Sequence, residues 1–191
     1  MTPFFMSSHY ICLVLIIKLI SLLPFWFIYA ISELISFLLY YVFRYRRGVV
    51  RTNLTSSFPE KNEKELIKIE KAFYRNFPKV FFEIIKSYSF SKSDWAKRVT
   101  LENPEEAKAF LDQDIPVIML GGHTANWEWP AFAVGTLIGY PLEFLYKPIK
   151  SKRLDNIMLK LREKHTELGL DKDKAIRHLL KGKRAPKVIG I

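Results

Sequence analysis

Cysteine is nearly absent from this chain of 191 residues. Cys12 stands alone, so no disulfide framework within the chain holds the fold. No stretch recurs at a fixed spacing, which leaves a repeat architecture without support. No H-E-x-x-H and no cysteine pair occurs, and His9, His165 and His178 lie far from His123, so no metal is expected. Charge is scarce in the first 43 residues, where Lys18 and Glu33 are the charged side chains. No basic region precedes the apolar run there and no small-residue cleavage site follows it, which argues against a cleaved signal peptide. Disorder is excluded by what is abundant, because 49% of the residues are apolar and can be buried.

Lys and Arg number 30 against 19 Asp and Glu, and the whole excess of +11 lies between Arg44 and Ile191. A basic domain of this kind suits nucleic acid, an anionic membrane surface or an acidic substrate. The preceding apolar run, Tyr10 to Phe43, favours the membrane over nucleic acid. A spanning helix needs about 20 mostly apolar residues, and Leu19 to Phe43 supplies them. Pro24 splits the run, so a single span, a helical hairpin and a kinked, partly embedded helix all remain open. Arg44, Arg46, Arg47 and Arg51 follow at once, and such a cluster stays on the cytoplasmic side and binds anionic head groups. Residues 1–43 therefore read as a membrane anchor and 44–191 as a separate domain, with a buried core helix as the alternative for the apolar run.

Beyond the anchor, Val49 to Glu60 is polar and ends in a Phe-Pro turn. Glu63 to Tyr88 repeats apolar residues at helical spacing, and Pro78 is expected to kink or interrupt it. Asn103 with Pro104 opens a short capped helix through Phe110. Ile115 to Leu120, Leu142 to Tyr146 and Pro186 to Ile191 read as buried strands. Helices are expected at Trp127 to Leu137, at Ser151 to Leu168 with Gly169 as its cap, and at Asp173 to Lys181. This alternation predicts an α/β fold with a parallel sheet. Three strands make a small sheet, and the chain ends on an apolar strand, so the sheet-and-helix domain is expected to be incomplete, its C-terminal part missing.

The chemistry is concentrated in Gly121-Gly122-His123-Thr124-Ala125-Asn126-Trp127-Glu128, directly after the first strand, where α/β folds place their ligands. Two glycines permit a sharp turn and close approach of a substrate. Asn126 suits the N-cap of the following helix, which puts Glu128 in the first turn and Pro130 at the fourth position. On one continuous helix, His123 and Glu128 would point about 140° apart. With His123 on the turn, the imidazole can fold back onto the carboxylate, and a histidine so oriented is a general base for a hydroxyl. No serine or cysteine stands at the turn as a nucleophile, so the hydroxyl must come from a substrate. The plainer alternative is a turn histidine beside a favourable first-turn charge.

The segment Pro116 to Glu128, with His123 and Glu128 as an H-x4-D/E motif, resembles the lipid A biosynthesis acyltransferases, the lauroyl/myristoyl transferase branch of the glycerolipid-type acyltransferases. Arg46 to Pro59 is similar to the family's R-x-N-L…F-P stretch, and Leu145-Tyr-Lys-Pro148 to its Y-R-P segment. The resemblance implies transfer of a fatty acyl group from acyl carrier protein to a hydroxyl of a glycolipid, at the cytoplasmic face of the inner membrane, without a cofactor. His123 would be the general base and Glu128 the carboxylate that orients it. Asn126, Lys147 and Arg162 would contact substrate, and Lys147 or Arg162 would stabilise the oxyanion of the thioester carbonyl or hold lipid phosphates. Lys147 stands where the family has Arg, which weakens a two-point phosphate grip. The family's chain continues with an Asp-Gln segment past the strand ending here at Ile191. Trp127, Trp129 and Phe132 are expected to form core and the wall of an acyl pocket. A lysophospholipid is the alternative acceptor, and a non-catalytic protein that binds anionic lipid is the alternative class.

Overall fold

A computed structural model describes residues 8–166, 168–171, 173, 177 and 187–190. The helix expected over Asp173 to Lys181 lies outside the described residues, apart from Asp173 and Arg177. The chain divides into two compact units, Leu22–Lys86 and Met1–Ser21 with Ser87–Ile191.

Pro24 separates α1 (Ser8–Leu22) from α2 (Phe25–Phe37), which opens the Leu22–Lys86 unit, because its extended backbone enters α2 and its ring lacks a donor. A π-helical turn, Leu38–Val42, continues α2, giving 18 helical residues from Phe25 to Val42. At 1.5 Å per residue this is about 27 Å. Among the described residues it is the one helix long and apolar enough to cross a membrane. Ile28, Ser32, Ser36 and Tyr40 recur every four residues and are buried. The helix α4 (Glu63–Ser87) packs antiparallel to α2, since Tyr29 pairs with Glu83, Glu33 with Lys79 and Arg75, and Tyr40 with Tyr74. On α2, Trp26, Leu34, Phe37 and Tyr41 are all more than half exposed.

The polar segment Val49 to Glu60, for which the sequence predicts no element before its Phe-Pro turn, is largely helical: α3 spans Arg47–Ser57. It buries no residue, so no apolar periodicity announces it. Arg47 and Arg51, one turn apart on the same face, both bind Glu70 of α4, with Nε atoms 3.0 and 2.5 Å from its two oxygens. Charge docks this helix. That pairing also corrects the expected four-arginine lipid cluster, since Arg47 and Arg51 serve a buried carboxylate. Pro78 does not interrupt α4, which runs through it for 25 residues.

The other unit holds the expected parallel α/β sheet. Its sheet is parallel throughout, with strand order β1-β4-β2-β3 for β1 (Val117–Met119), β2 (Leu142–Tyr146), β3 (Leu168–Asp171) and β4 (Val188–Gly190). The strand β3 is a correction: Gly169 lies within it, and the preceding helix α8 (Lys152–Glu163) ends earlier than expected. Ser151 caps α8, its hydroxyl accepting from the Leu154 N–H. The short α5 (Lys92–Ala96) is unexpected and opens with a capping box between Ser91 and Asp94. In α6 (Pro104–Leu111) the proline is the first helical residue, but Asn103 takes a left-handed φ of 49° and caps with no side-chain bond. One face of the sheet packs Leu142, Phe144 and Val188 against Leu111 and Val134. Beside this core, Trp95, Trp129, Phe132 and His165 form an aromatic cluster. Ser21 of α1 joins the same unit through its carbonyl, which accepts from the Ser89 hydroxyl at 2.7 Å.

Candidate active site

Because β1, β4 and β2 are parallel, their carboxyl ends share one edge of the sheet. Met119, Gly190 and Tyr146 at those ends border a cavity of about 700 Å³. The Gly121–Gly122–His123 turn forms its rim, Phe132 and Phe144 form apolar wall, and Lys147 and Arg162 reach it from β2 and α8. A cavity of this size suits a chain-like or drug-sized ligand.

The turn itself differs from expectation in detail. Its left-handed residue is Ala125, with φ 48°, rather than a glycine. A Cβ at Gly122 would meet open space, so the missing side chain there leaves room on the cavity rim. The helix α7 spans Glu128–Ile138 and its N-cap is Trp127, so Asn126 is not the capping residue. The Asn126 carbonyl accepts from the Trp129 N–H at 3.3 Å. Pro130 is consequently the third helical residue, still among the positions whose donor has no partner within the helix. Gly139 ends α7 in the left-handed conformation, φ 86°.

His123 is exposed on the cavity rim, and its ring lies 5.5 Å from that of Trp127. Glu128 is buried, its side chain 7% exposed. Among the described residues no hydrogen bond joins the two. Both Glu128 oxygens are instead held by Arg162: Nε donates to Oε2 at 2.9 Å and an Nη donates to Oε1. This fork places the guanidinium 5.4 Å over the Phe144 ring as well. The site therefore brings His123, Glu128, Lys147 and Arg162 to one cavity, while Asn126 is half-buried beside it.

Two further features were not legible beforehand. Arg162 is fixed at its backbone, where its carbonyl accepts from the N–H groups of His165 and Thr166 and from the Thr166 hydroxyl. His165 in turn is wedged in the aromatic cluster. The Trp95 indole N–H can only donate, so Nδ1 of His165 accepts it at 3.3 Å and Nε2 carries the proton toward the Ser87 carbonyl at 2.8 Å. Burial pushes the imidazole below its usual range, which agrees with this neutral tautomer.

A histidine and a buried carboxylate thus stand at the carboxyl edge of a parallel α/β sheet, beside a largely apolar cavity. The chain belongs to the bacterial lipid A biosynthesis acyltransferase family, whose family model matches residues 4–191, and it is accordingly a lipid acyltransferase. No curated protein matches the chain.

Proposed function

We propose that this acyltransferase moves a fatty acyl group from acyl carrier protein to a hydroxyl of a lipid A-type glycolipid precursor, at the cytoplasmic face of the inner membrane. The observation that carries this reading is the cavity itself: a histidine on its rim, an arginine-held carboxylate, and an apolar wall that includes Phe132 and Phe144. His123 takes the proton of the acceptor hydroxyl as the oxygen attacks the thioester carbonyl carbon. The tetrahedral oxyanion collapses, the C–S bond breaks, and the leaving thiolate recovers the proton from the imidazolium. Glu128 stabilises that imidazolium, and Arg162 fixes Glu128. Catalytic hydrogen bonds are often long in unliganded sites and tighten with substrate, so the His123–Glu128 contact forms on binding. Lys147, exposed and on the rim, is the cation for the oxyanion or a lipid phosphate.

The exposed apolar face of α2 supports membrane attachment, with Arg44 and Arg46 just past its end for anionic head groups. The net charge of +11 favours an acidic carrier as donor. The test is an assay of the purified protein with acyl carrier protein thioester and glycolipid precursor, read by mass spectrometry. An acyl ester on the glycolipid is the expected product. Acylation of a lysophospholipid alone would move the assignment to the other acceptor.

A further inference from the structure

Four residues form one row across the sheet. The register pairs Met119 with Gly190, Gly190 with Phe144, and Phe144 with Gly169. Partners in register on parallel strands present their side chains to the same face. The row therefore alternates a long side chain with none. Met119, Gly190 and Phe144 border the cavity, and the ring edge of Phe144 rests over Gly169.

The two glycines have different surroundings. A Cβ at Gly169 would lie 2.8 Å from Cζ of Phe144 and 2.9 Å from Cδ2 of Leu159. No real Cβ fits there unless one of them moves. Phe144 is a buried member of the core that Leu159 packs against, and of the two it is Phe144 that borders the cavity. A Cβ at Gly190 would lie 3.5 Å from Cε of Met119 and 3.7 Å from Cβ of Phe144, which is ordinary contact. Alanine fits at 190 without displacing anything, and its methyl group occupies cavity floor.

We infer that this row sets the length of the acyl chain that the cavity accepts. Gly169 lets the Phe144 ring lean out of the chain's path, and Gly190 keeps the floor open between Phe144 and Met119. Both are specificity-determining residues, and the inference rests on the acyl transfer proposed above.

The experiment measures kcat/KM of the purified protein with a series of acyl carrier protein thioesters that differ by two carbons. One misfitting methylene in an apolar pocket costs about tenfold or more. Gly190→Ala, and more strongly Gly190→Val, is expected to shift the ratio between neighbouring chain lengths by about that factor toward the shorter donor. Gly169→Ala shifts it the same way, and adding Phe144→Leu to Gly169→Ala moves it back. Because Arg162 sits over the Phe144 ring, Gly169→Ala also disturbs turnover, so Gly190→Ala is the deciding variant, including where Gly169→Ala does not fold. A Gly190→Ala profile that keeps the wild-type ratios, or falls equally at every length, overturns the inference. Absence of transfer by the wild type with every donor overturns the proposed activity instead, and the inference with it.

Discussion

Arg162, on α8, holds Glu128, the first residue of α7, through both carboxylate oxygens. The two side chains are 17% and 7% exposed, so the pair is largely withdrawn from water. A buried carboxylate without this partner would have to protonate or draw in water. The arginine therefore fixes the Glu128 carboxylate in place at the cavity.

Arg162→Ala is expected to destabilise the fold by about 3–5 kcal/mol, because it strands a buried charge. Arg162→Lys restores the charge but not the two-point grip, and recovers part of the stability. Replacing both partners, Arg162→Met with Glu128→Leu, costs less than Arg162→Ala alone. Chemical denaturation of the three variants checks this order. A double variant less stable than the single one contradicts it.

Glu70 is 1% exposed and carries α3 on its carboxylate. Glu70→Ala is expected to cost about 3 kcal/mol, the low end for a buried pair, since Arg47 and Arg51 are each about one-third exposed. Burial pushes the Glu70 carboxyl up, but hydrogen bonds from Arg51 and Arg47 more than reverse this and hold it below the usual carboxylate range. A lowered folded value means stability that is present above the unfolded value of about 4.3 and is lost as pH falls through the folded one. Glu70→Gln should remove that acid step from a titration of unfolding midpoint against pH.

His165 predicts a second, earlier acid step. Burial lowers its folded value, so the unfolded chain binds the proton more readily. Stability is expected to decline once pH drops below about 6.5, the unfolded value, and to level off below the folded one. Protonation places a hydrogen on Nδ1, where Trp95 already donates. His165→Gln should flatten this step and leave the Glu70 step in place. Persistence of the early step in His165→Gln would assign it elsewhere.

How much of this could be seen in the sequence depends on what kind of force shapes each element. The strands at Leu142 to Tyr146 and near Val188 are short runs that are largely buried, which makes them visible. The run around Val117 forms a strand that is not the buried one expected, since Ile118 faces solvent. The strand Leu168–Asp171 hides because a glycine sits inside it, and a glycine after a charged amphipathic helix reads as a cap. Only the packed structure shows that a Cβ at position 169 would press on the Phe144 ring and on Leu159. α3 hides for a different reason: two arginines one turn apart carry no signal until the carboxylate they share, 19 residues beyond Arg51, is placed beside them. At the site, the turn after β1 located His123 and Glu128 on one cavity, because local chain direction fixes both. The Arg162 fork lies 34 residues away from Glu128 and is a product of how α8 packs over the sheet.

The exposed face of α2 makes a prediction about attachment. Trp26→Glu, Leu34→Glu and Phe37→Glu together are expected to move the protein from the membrane pellet to the supernatant, because each charge in an apolar layer is costly. High salt alone should leave the wild type pelleted, since screening weakens charge pairing but not apolar insertion. Release of the wild type by salt would instead place the binding in the basic residues.

The most direct test of the account is the turnover of His123→Ala, with glycolipid precursor and acyl carrier protein thioester as substrates. Removal of a positioned base is expected to lower kcat by about 10²–10⁴-fold with little change in KM. Glu128→Ala should fall in a similar range, and the double variant should be scarcely worse than the poorer single one, because residues that act as a unit are not additive. Lys147→Ala, by contrast, should raise KM if it grips phosphate equally in ground and transition states. A His123→Ala protein that turns over at the wild-type rate would contradict the mechanism and the catalytic role of the motif.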